Sequence, residues 1–207
     1  MVATQRGALA PYTPRISVEW DLDAPGRTWQ VVDGSLVFVD ISGFTALSER
    51  LARLGRIGAE ELTAVLDTVF GAMLRAAYAR GGSLLKFGGD ALLLLFESPD
   101  HVLQATAAAV EMRAALRVSK EIQTSVGRVH LKMSVGVHTG PIDFFLVGDT
   151  HRELIVTGPT ASATTDMEGS ADAGEIVVSR AIADALPTGW VGDPKGAGLL
   201  LRKRVVH

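Results

Sequence analysis

The amino-acid sequence predicts an α+β fold, in which helices pack on a mostly antiparallel sheet. Apolar runs of strand length alternate with helix-like segments along the 207 residues. Two of these runs, Ser83–Phe87 and Asp90–Phe96, are separated by Gly88-Gly89, which predicts a hairpin whose two central residues both have a positive φ. Strands that pair as hairpins and also alternate with helices are typical of the α+β class.

The composition is that of a packed globular chain, with 47% hydrophobic and 21% charged residues. A formal charge of -3 gives no basic surface for nucleic acid or an anionic membrane, so we expect neither partner. The absence of cysteine excludes disulfides, thiolate zinc sites and thiol nucleophiles. The longest strongly apolar run, Ala91–Phe96, is far shorter than a membrane-spanning helix, and the N-terminus lacks a signal-like stretch. We therefore expect a cytoplasmic domain.

The first 32 residues predict a lead-in segment. Pro11, Pro14 and Pro25 interrupt it, and its hydrophobic residues show little periodicity. We expect one short strand in this segment, near Ser17–Trp20.

From residue 33 to residue 207 the pattern predicts a single domain of alternating strands and helices. The clearest helix covers 59–80, because apolar side chains recur there at three- and four-residue spacing before Gly81-Gly82. Ser98-Pro99 are expected as N-cap and first residue of a helix to about Arg117. A turn at Gly140-Pro141 is expected to separate two strands. The other predicted elements are strands at Leu36–Val39, Val129–Val137, Ile142–Val147, Glu153–Thr157, Glu175–Val178 and Leu199–Val206, and helices at 43–54 and 158–170. This order matches a ferredoxin-like, palm-type βαββαβ core with added strands and helices.

Two aspartates are the first candidates for chemistry. Asp40 ends a buried strand and Asp90 follows the Gly-Gly pair of the hairpin, so in a β-α-β-β core the two can lie on neighbouring strands. Paired carboxylates of this kind hold two divalent ions in phosphoryl transfer. The alternative is structural: Asp40 caps the following helix and Asp90 suits a turn.

Two segments decide between these interpretations. The segments are Phe38-Val39-Asp40-Ile41-Ser42-Gly43-Phe44-Thr45 and Leu85-Lys86-Phe87-Gly88-Gly89-Asp90-Ala91-Leu92. With the long helix between them, they resemble the class III nucleotidyl cyclase catalytic domain, in its bacterial adenylyl cyclase-like branch, over residues 35–180. Gly88-Gly89-Asp90 is also similar to the Gly-Gly-Asp-Glu-Phe signature of diguanylate cyclases, but Ala91-Leu92 replace its Glu-Phe.

The resemblance implies a set of roles in making a cyclic nucleotide and pyrophosphate. Asp40 and Asp90 match the metal-binding aspartates for two Mg²⁺ or Mn²⁺ ions, with the Ile41 carbonyl as a further ligand. Gly43, Phe44 and Thr45 match the turn whose N–H groups meet the triphosphate, in agreement with a helix N-terminus as an anion site. Lys86 matches the purine-recognising lysine of adenylyl cyclases and favours ATP over GTP. Lys195 lies near the position of a phosphate-binding lysine, although a surface lysine is the simpler interpretation.

The second half departs from the family pattern. The family's Gly-x-x-x-Asn-x-x-x-Arg appears here as Gly158 followed by Ser162 at the Asn position and Asp166 at the Arg position. These two positions share one helix face. Ile155 replaces the residue that accepts a hydrogen bond from adenine N6. Losing one transition-state donor costs about 10²–10³ in rate, and an anion at the Arg position is worse than a deletion.

The resemblance therefore implies an ATP-cyclising domain that needs a second cyclase domain to supply Asn and Arg. Such domains act as head-to-tail dimers with shared sites, so the partner is either a second copy or, as a pseudo-heterodimer, a different cyclase domain. Retention of Asp40 and Asp90 favours this enzyme. The alternative, favoured by Ile155, Ser162 and Asp166, is a catalytically silent pseudocyclase that serves as a dimerisation or nucleotide-sensing module.

Overall fold

A computed structural model describes residues 14–23, 26–149 and 152–202, and these form the predicted α+β architecture. The helices are α1 (Arg15–Asp23), α2 (Phe44–Ala52), α3 (Arg56–Ala79), α4 (His101–Ala115, continued by a 3₁₀ helix, Leu116–Glu121), α5 (Pro159–Gly169) and α6 (Arg180–Ala185). The strands are β1 (Trp29–Ser42), β2 (Ser83–Gly88), β3 (Ala91–Phe96), β4 (Gln123–Thr124), β5 (Gly127–Arg128), β6 (Lys132–Val147), β7 (Glu153–Thr157), β8 (Ile176–Val178), β9 (Val191–Lys195) and β10 (Gly198–Leu201).

The main sheet has the strand order β2-β3-β1-β6-β8-β10-β9, with β7 paired to one end of β6. All of its pairs are antiparallel except β6–β8. Strands β4 and β5 form a separate two-stranded hairpin. The long β1–β6 pair, in register from Trp29↔Phe145 to Ser42↔Lys132, is the centre of the fold.

Both faces of β1 are covered, which explains its continuous apolar run. On one face, Val37, Val39 and Ile41 join the larger core with α2, α3, α4 and α6. On the other, Leu36 joins a smaller core that includes Ile16 of α1. Helix α5 also packs on this second face.

Helix α3 is long and apolar enough to cross a membrane, judged by length and composition alone. A single helix of this kind is weak evidence for a membrane span, because the core helix of a folded domain passes the same test. Here Val65, Val69 and Met73 of α3 are buried in the larger core.

The strand expected near Ser17–Trp20 is wrong, because residues 15–23 form α1. Ile16 and Trp20, four residues apart, are both buried against the smaller core. That spacing brings two side chains onto one helix face, and this packing stabilises a helix where little periodicity was evident. Pro14, directly before the helix, is the start signal that could have indicated it. The expected boundary between residues 32 and 33 stays a prediction.

The turn expected at Gly140-Pro141 is also wrong, because β6 runs through both residues. Proline is tolerated in a strand where its missing N–H faces no neighbour. Between Val137, where pairing with β8 ends, and Asp143, where pairing with β7 begins, β6 pairs only with β1. Pro141 lies in this gap.

The hairpin itself is confirmed, with a correction to its turn. Gly88 pairs with Ala91, so the two turn residues are Gly89 and Asp90. Gly89 has φ +68°, whereas no described residue other than glycine has a positive φ. Only the first turn residue therefore needs glycine, as in a type II′ arrangement.

The predicted helix after the hairpin begins later than expected. Its N-cap is Asp100, not Ser98, and the Ser98 hydroxyl instead contacts Gln104 Oε1 at 2.6 Å. The strand at Glu153–Thr157 and the helix over 158–170 are confirmed. The strand expected over Leu199–Val206 ends at Leu201, and residues 203–206 of that prediction lie outside the described residues. Helix α6 and strand β9 were not predicted.

Candidate active site

The structure places Asp40 and Asp90 side by side, as the sequence predicts. Asp40 pairs with Ala91 at the end of the β1–β3 ladder. The next residue, Ile41, donates its main-chain N–H to the main-chain oxygen of Asp90 at 3.1 Å. The tight turn of the β2–β3 hairpin thus presents Asp90 at the carboxyl end of β1, and both aspartates are partly exposed.

Negative charge is concentrated at this point. The pKa of Asp40 is raised above its ordinary value of 3.8, chiefly by partial burial and then by the charges of Asp90 and Glu168. Glu168, on α5, accepts a hydrogen bond from Ser134 Oγ at 2.7 Å, and Ser134 is the register partner of Asp40 on β6. Sequence reasoning missed Glu168; its place two residues beyond Asp166 on the same helix gave no separate signal.

The oxygen donors at this position fit a hard divalent cation. Asp40 and Asp90 supply carboxylates, and Ile41 carries the predicted carbonyl ligand. Across the described residues, no group of three or more His, Cys, Asp or Glu side chains forms a metal site. An ion held here would keep water or substrate oxygens among its ligands, which is usual for Mg²⁺.

The turn after β1 has the geometry of an anion site. Gly43 is the N-cap of α2 with φ +91°, and a Cβ at this position would meet the His130 main-chain oxygen at 2.9 Å. Phe44 and Thr45 begin α2, where the first N–H groups have no acceptor within the helix. Thr45 Oγ1 donates to Asp90 Oδ2 at 3.2 Å, which connects the turn to the aspartate pair.

Lys86, on β2, has an unexpected partner. Its Nζ is 3.3 Å from Glu153 Oε1, and both side chains are more than half exposed. Glu153 precedes Ile155 by two residues on β7, so both side chains point to the same side of that strand. Ile155 is itself exposed. Side chains alternate between the two sides of β7, and this alternation could have placed Glu153 on the same side as Ile155. The contact with Lys86 could not be predicted, because the two residues are far apart in sequence.

Ser162 and Asp166 lie together on the exposed face of α5. The buried side of this helix is formed by Thr160, Thr164 and Met167. Among the described contacts none joins Ser162 or Asp166 to Asp40 or Asp90. The structure therefore does not bring these two positions to the aspartate pair of the same chain.

Lys195 forms ion pairs with Asp172 (2.5 Å) and Glu175 (3.0 Å). These contacts support the interpretation of Lys195 as a structural surface lysine. They leave its charge compensated by carboxylates of the same chain.

Comparison with known proteins identifies the family. Residues 30–196 match the adenylate and guanylate cyclase catalytic domain, and the chain belongs to that family. Adenylate cyclase type 10 of Rattus norvegicus is 27% identical over 179 residues, which are 83% of this chain and 11% of that protein. Adenylate cyclase 1 of Rhizobium meliloti (strain 1021) is 26% identical over 168 residues, 77% of this chain and 24% of that protein.

A solved structure confirms the fold. The guanylyl cyclase Cya2 matches with a TM-score of 0.67 and 28% identity, covering 84% of this chain and 94% of that one. The resemblance to class III cyclases and the palm-type fold class are thus confirmed. The chain spans 11% and 24% of the two curated relatives. Because the matched proteins include both adenylate and guanylate cyclases, they leave the purine unassigned.

Proposed function

We propose that this domain is the metal-binding half of a cyclase that converts ATP to cyclic AMP and pyrophosphate. The observation that carries this proposal is the position of Asp40 beside Asp90, fixed by the Ile41–Asp90 hydrogen bond. If either aspartate had only a structural role, there would be no need to place the two carboxylates next to each other. In that position the negative charge of each one makes ionisation of the other less favourable. The expected cytoplasmic location stays a prediction.

In the proposed reaction the ribose 3′ oxygen forms a bond to the α-phosphorus. The bond from that phosphorus to the bridging oxygen of the β-phosphate breaks, pyrophosphate leaves, and the 3′-hydroxyl proton passes to solvent. Two Mg²⁺ or Mn²⁺ ions, when bound, supply the acidification of the 3′-hydroxyl and the charge stabilisation of the leaving group. Asp40, Asp90 and the Ile41 carbonyl are the groups that would hold them.

The other residues of this half position the substrate. The N–H groups of the Gly43–Thr45 turn meet the triphosphate at the positive end of α2. The Thr45 hydroxyl fixes the Asp90 carboxylate by its hydrogen bond. Phe44 packs edge-on against Phe70 of α3 with ring centroids 6.3 Å apart, which anchors the turn to the core.

We propose that a second cyclase domain supplies the Asn and Arg groups. The exposed face of α5 carries Ser162 and Asp166 where the family has these residues, so two identical copies would repeat the defect at both sites. Removing one transition-state donor costs about 10²–10³ in rate. A pseudo-heterodimer with a partner that retains Asn and Arg gives one complete site, built on Asp40 and Asp90 of this chain.

Lys86 supports ATP as the purine nucleotide, because its ammonium group can donate to adenine N1. Its partner Glu153 supplies an acceptor near the position where Ile155 has none. This support applies to a site formed by two copies of this chain; in a pseudo-heterodimer the pair lies in the second, incomplete site, and the partner domain selects the purine at the complete one.

The test is cyclic nucleotide production by the purified 207-residue chain with Mn²⁺ and ATP or GTP. The chain is assayed alone and with a cyclase domain that has intact Asn and Arg positions but an Asp→Ala change in its own metal pair. We expect little activity alone and activity in the mixture, lost when this chain carries Asp40→Ala. Silence in every mixture would overturn the proposal in favour of the pseudocyclase, which the residues at 155, 162 and 166 support.

A further inference from the structure

A cavity whose lining includes neither Asp40 nor Asp90 carries a concentration of positive charge. It has a volume of about 500 Å³ and lies between the end of α4 with its 3₁₀ continuation, the start of β6, and the loop between α5 and β8. Four basic side chains line it, Arg113, Arg117, Lys120 and Lys132, against one acidic side chain, Glu175. The chain as a whole is acidic, with a net charge of -3, so this local excess is not a property of the composition.

The carboxylate of Glu175 does not neutralise the four positive charges that line the cavity. Glu175 is already bonded to Lys195 at 3.0 Å and accepts the N–H of Asp172 at 2.9 Å. Within the described part of the chain, no ion pair reaches any of the four basic residues. Other basic residues of the same chain are paired, Arg80 with Glu111 and Arg56 with Glu60 among them.

Arg113 is the least favourable of the four in the absence of an anion. It is partly buried, and burial, with a smaller effect from the charge of Arg117, lowers the pKa of its guanidinium group. Its one hydrogen bond in the described structure is a long one, 3.4 Å, to the Gly174 main-chain oxygen. Two guanidinium groups are thus kept near each other over an apolar floor that includes Leu131 and Met133. An arrangement of this kind gains free energy when an anion binds, since the repulsion between the two positive charges is then relieved.

We propose that this cavity binds a small soluble oxyanion, of the phosphate or polyphosphate class, at a site distinct from the aspartate pair. Guanidinium groups suit this ligand because their planar N–H forks bind phosphate oxygens in pairs, and the lysines add charge at the rim. The cavity volume accommodates more than a single phosphate group. The proposal does not depend on cyclase activity.

The site also contacts the segment that leads from α5 into the sheet. Gly174 and Glu175 lie in the cavity wall and precede β8, while α5 ends at Gly169. A bound oxyanion would connect this segment to Arg113 on α4 and to Arg117 on the 3₁₀ helix that follows it. Binding should therefore stabilise the folded domain, because an anion bound only by the native state adds its binding free energy to unfolding.

The experiment measures calorimetric binding of inorganic pyrophosphate and, separately, orthophosphate to the full chain, at constant ionic strength with EDTA present. EDTA removes the divalent ions through which the aspartate pair would hold a polyphosphate, and any binding to the Gly43–Thr45 turn would be unchanged in the cavity variants. We expect saturable binding, tighter for pyrophosphate, and a concentration-dependent rise in melting temperature. The double variant Arg113→Gln/Arg117→Gln should bind at least about tenfold more weakly, since two charge-assisted hydrogen-bond donors are removed.

Arg53→Gln/Arg75→Gln is the matched control, since it removes two charges from exposed positions, one directly after α2 and one on α3, and should bind like the parent chain. If Arg113→Gln/Arg117→Gln fails to fold, Lys120→Gln/Lys132→Gln, at two exposed positions, decides by the same measurement. Absence of binding to the parent chain would overturn the proposal. So would binding that the cavity variants leave unchanged.

Discussion

The main-chain N–H of Ile41 donates to the main-chain oxygen of Asp90 at 3.1 Å, at the end of β1 where its pairing with β3 stops. This bond continues the β1–β3 pairing one step beyond Asp40↔Ala91. It holds the hairpin turn against β1 through backbone groups alone. The backbone position of Asp90 beside Asp40 therefore does not rest on a contact between the two carboxylates.

Asp40→Asn should raise the melting temperature of the metal-free domain at pH 7 while abolishing cyclase activity in the assembly with a partner. The folded-state pKa of Asp40 lies above the unfolded value of 3.8, so the folded state binds the proton more tightly. Stability from this group is present below pH 3.8 and is lost as the pH rises through the raised value. Its charge is thus unfavourable at pH 7. The rise should stay within about 2–4 °C, because Asp40 is partly solvated.

The measurement is thermal denaturation of parent and variant in EDTA and in Mn²⁺. In Mn²⁺ the order should reverse, because only the parent gains stability from an ion bound to the native state. A variant that is less stable than the parent in EDTA would show that Asp40 is held for structure. An equal response to Mn²⁺ would exclude Asp40 as a ligand.

Gly43→Ala should destabilise the domain and weaken nucleotide binding. The left-handed φ of +91° costs a non-glycine residue about 1–2 kcal/mol, and a Cβ would also collide with the His130 main-chain oxygen. Gly189→Ala is a close control, since Gly189 has φ +90° with nothing within 4 Å of an added Cβ. We expect a larger fall in melting temperature for Gly43→Ala, and loss of ATP binding in Mn²⁺ for Gly43→Ala alone. Equal effects would mean that the contact with His130 is unimportant.

Gly136→Ala should displace α5 from the sheet. A Cβ at Gly136 would overlap the main chain of α5 at Thr164 and Glu168, so neither a rotamer change nor a flexible side chain can relieve it. Overpacking of this kind typically costs about 1–3 kcal/mol. Gly169→Ala, at the end of the same helix, meets nothing within 4 Å and should leave the melting temperature unchanged or slightly higher. Chemical denaturation of both variants tests this, and similar midpoints would contradict the close packing of α5 on β6.

Local signals in the sequence predicted much of the fold. The apolar run at Leu36–Val39 and the periodicity over 59–80 each reflect packing of one element against the core, and both elements were confirmed. The Gly88-Gly89 pair correctly indicated the hairpin, although the turn residues are Gly89 and Asp90. The position of Asp40 beside Asp90 could be predicted because, in a β-α-β-β core, the end of β1 and the hairpin turn lie on neighbouring strands.

Features that depend on distant parts of the chain could not be predicted in this way. Pro141 lies inside β6 only because neither β7 nor β8 pairs at that point, a consequence of where two later strands end. The Lys86–Glu153 contact joins residues 67 positions apart, on β2 and β7, two strands that do not pair with each other. Glu168 affects Asp40 because α5 lies close over Gly136, and no motif encodes that approach.

Ser162→Asn/Asp166→Arg should give the chain cyclase activity as an assembly of two copies, without a different cyclase domain. The two positions lie on the exposed face of α5, where a second copy can meet them, and the changes restore the groups whose loss costs about 10²–10³ each. Thr165→Arg is the control, because it adds an exposed arginine to the same helix at a neighbouring angle. Cyclic AMP production with Mn²⁺ and ATP measures the outcome. If the double variant stays silent while folding normally, a defect elsewhere, Ile155 first, limits the reaction.

Lys86→Glu in this restored chain should shift the purine preference from ATP towards GTP. The Lys86–Glu153 pair offers one donor, for adenine N1, and one acceptor, for the adenine N6 amino group. In the variant, position 86 and Glu153 both carry carboxylates, which accept hydrogen bonds from the N1–H and N2 amino groups of guanine. We expect the ratio of kcat/KM for ATP to that for GTP to fall by at least about tenfold, the effect of one mismatched hydrogen bond.

The melting temperature should change little, because an exposed ion pair contributes at most about 1 kcal/mol. Arg75→Glu makes the same charge change at an exposed position of α3 and should leave the ratio unaltered. A ratio that is unchanged by Lys86→Glu would remove Lys86 from purine recognition and leave ATP without a specific contact in this chain.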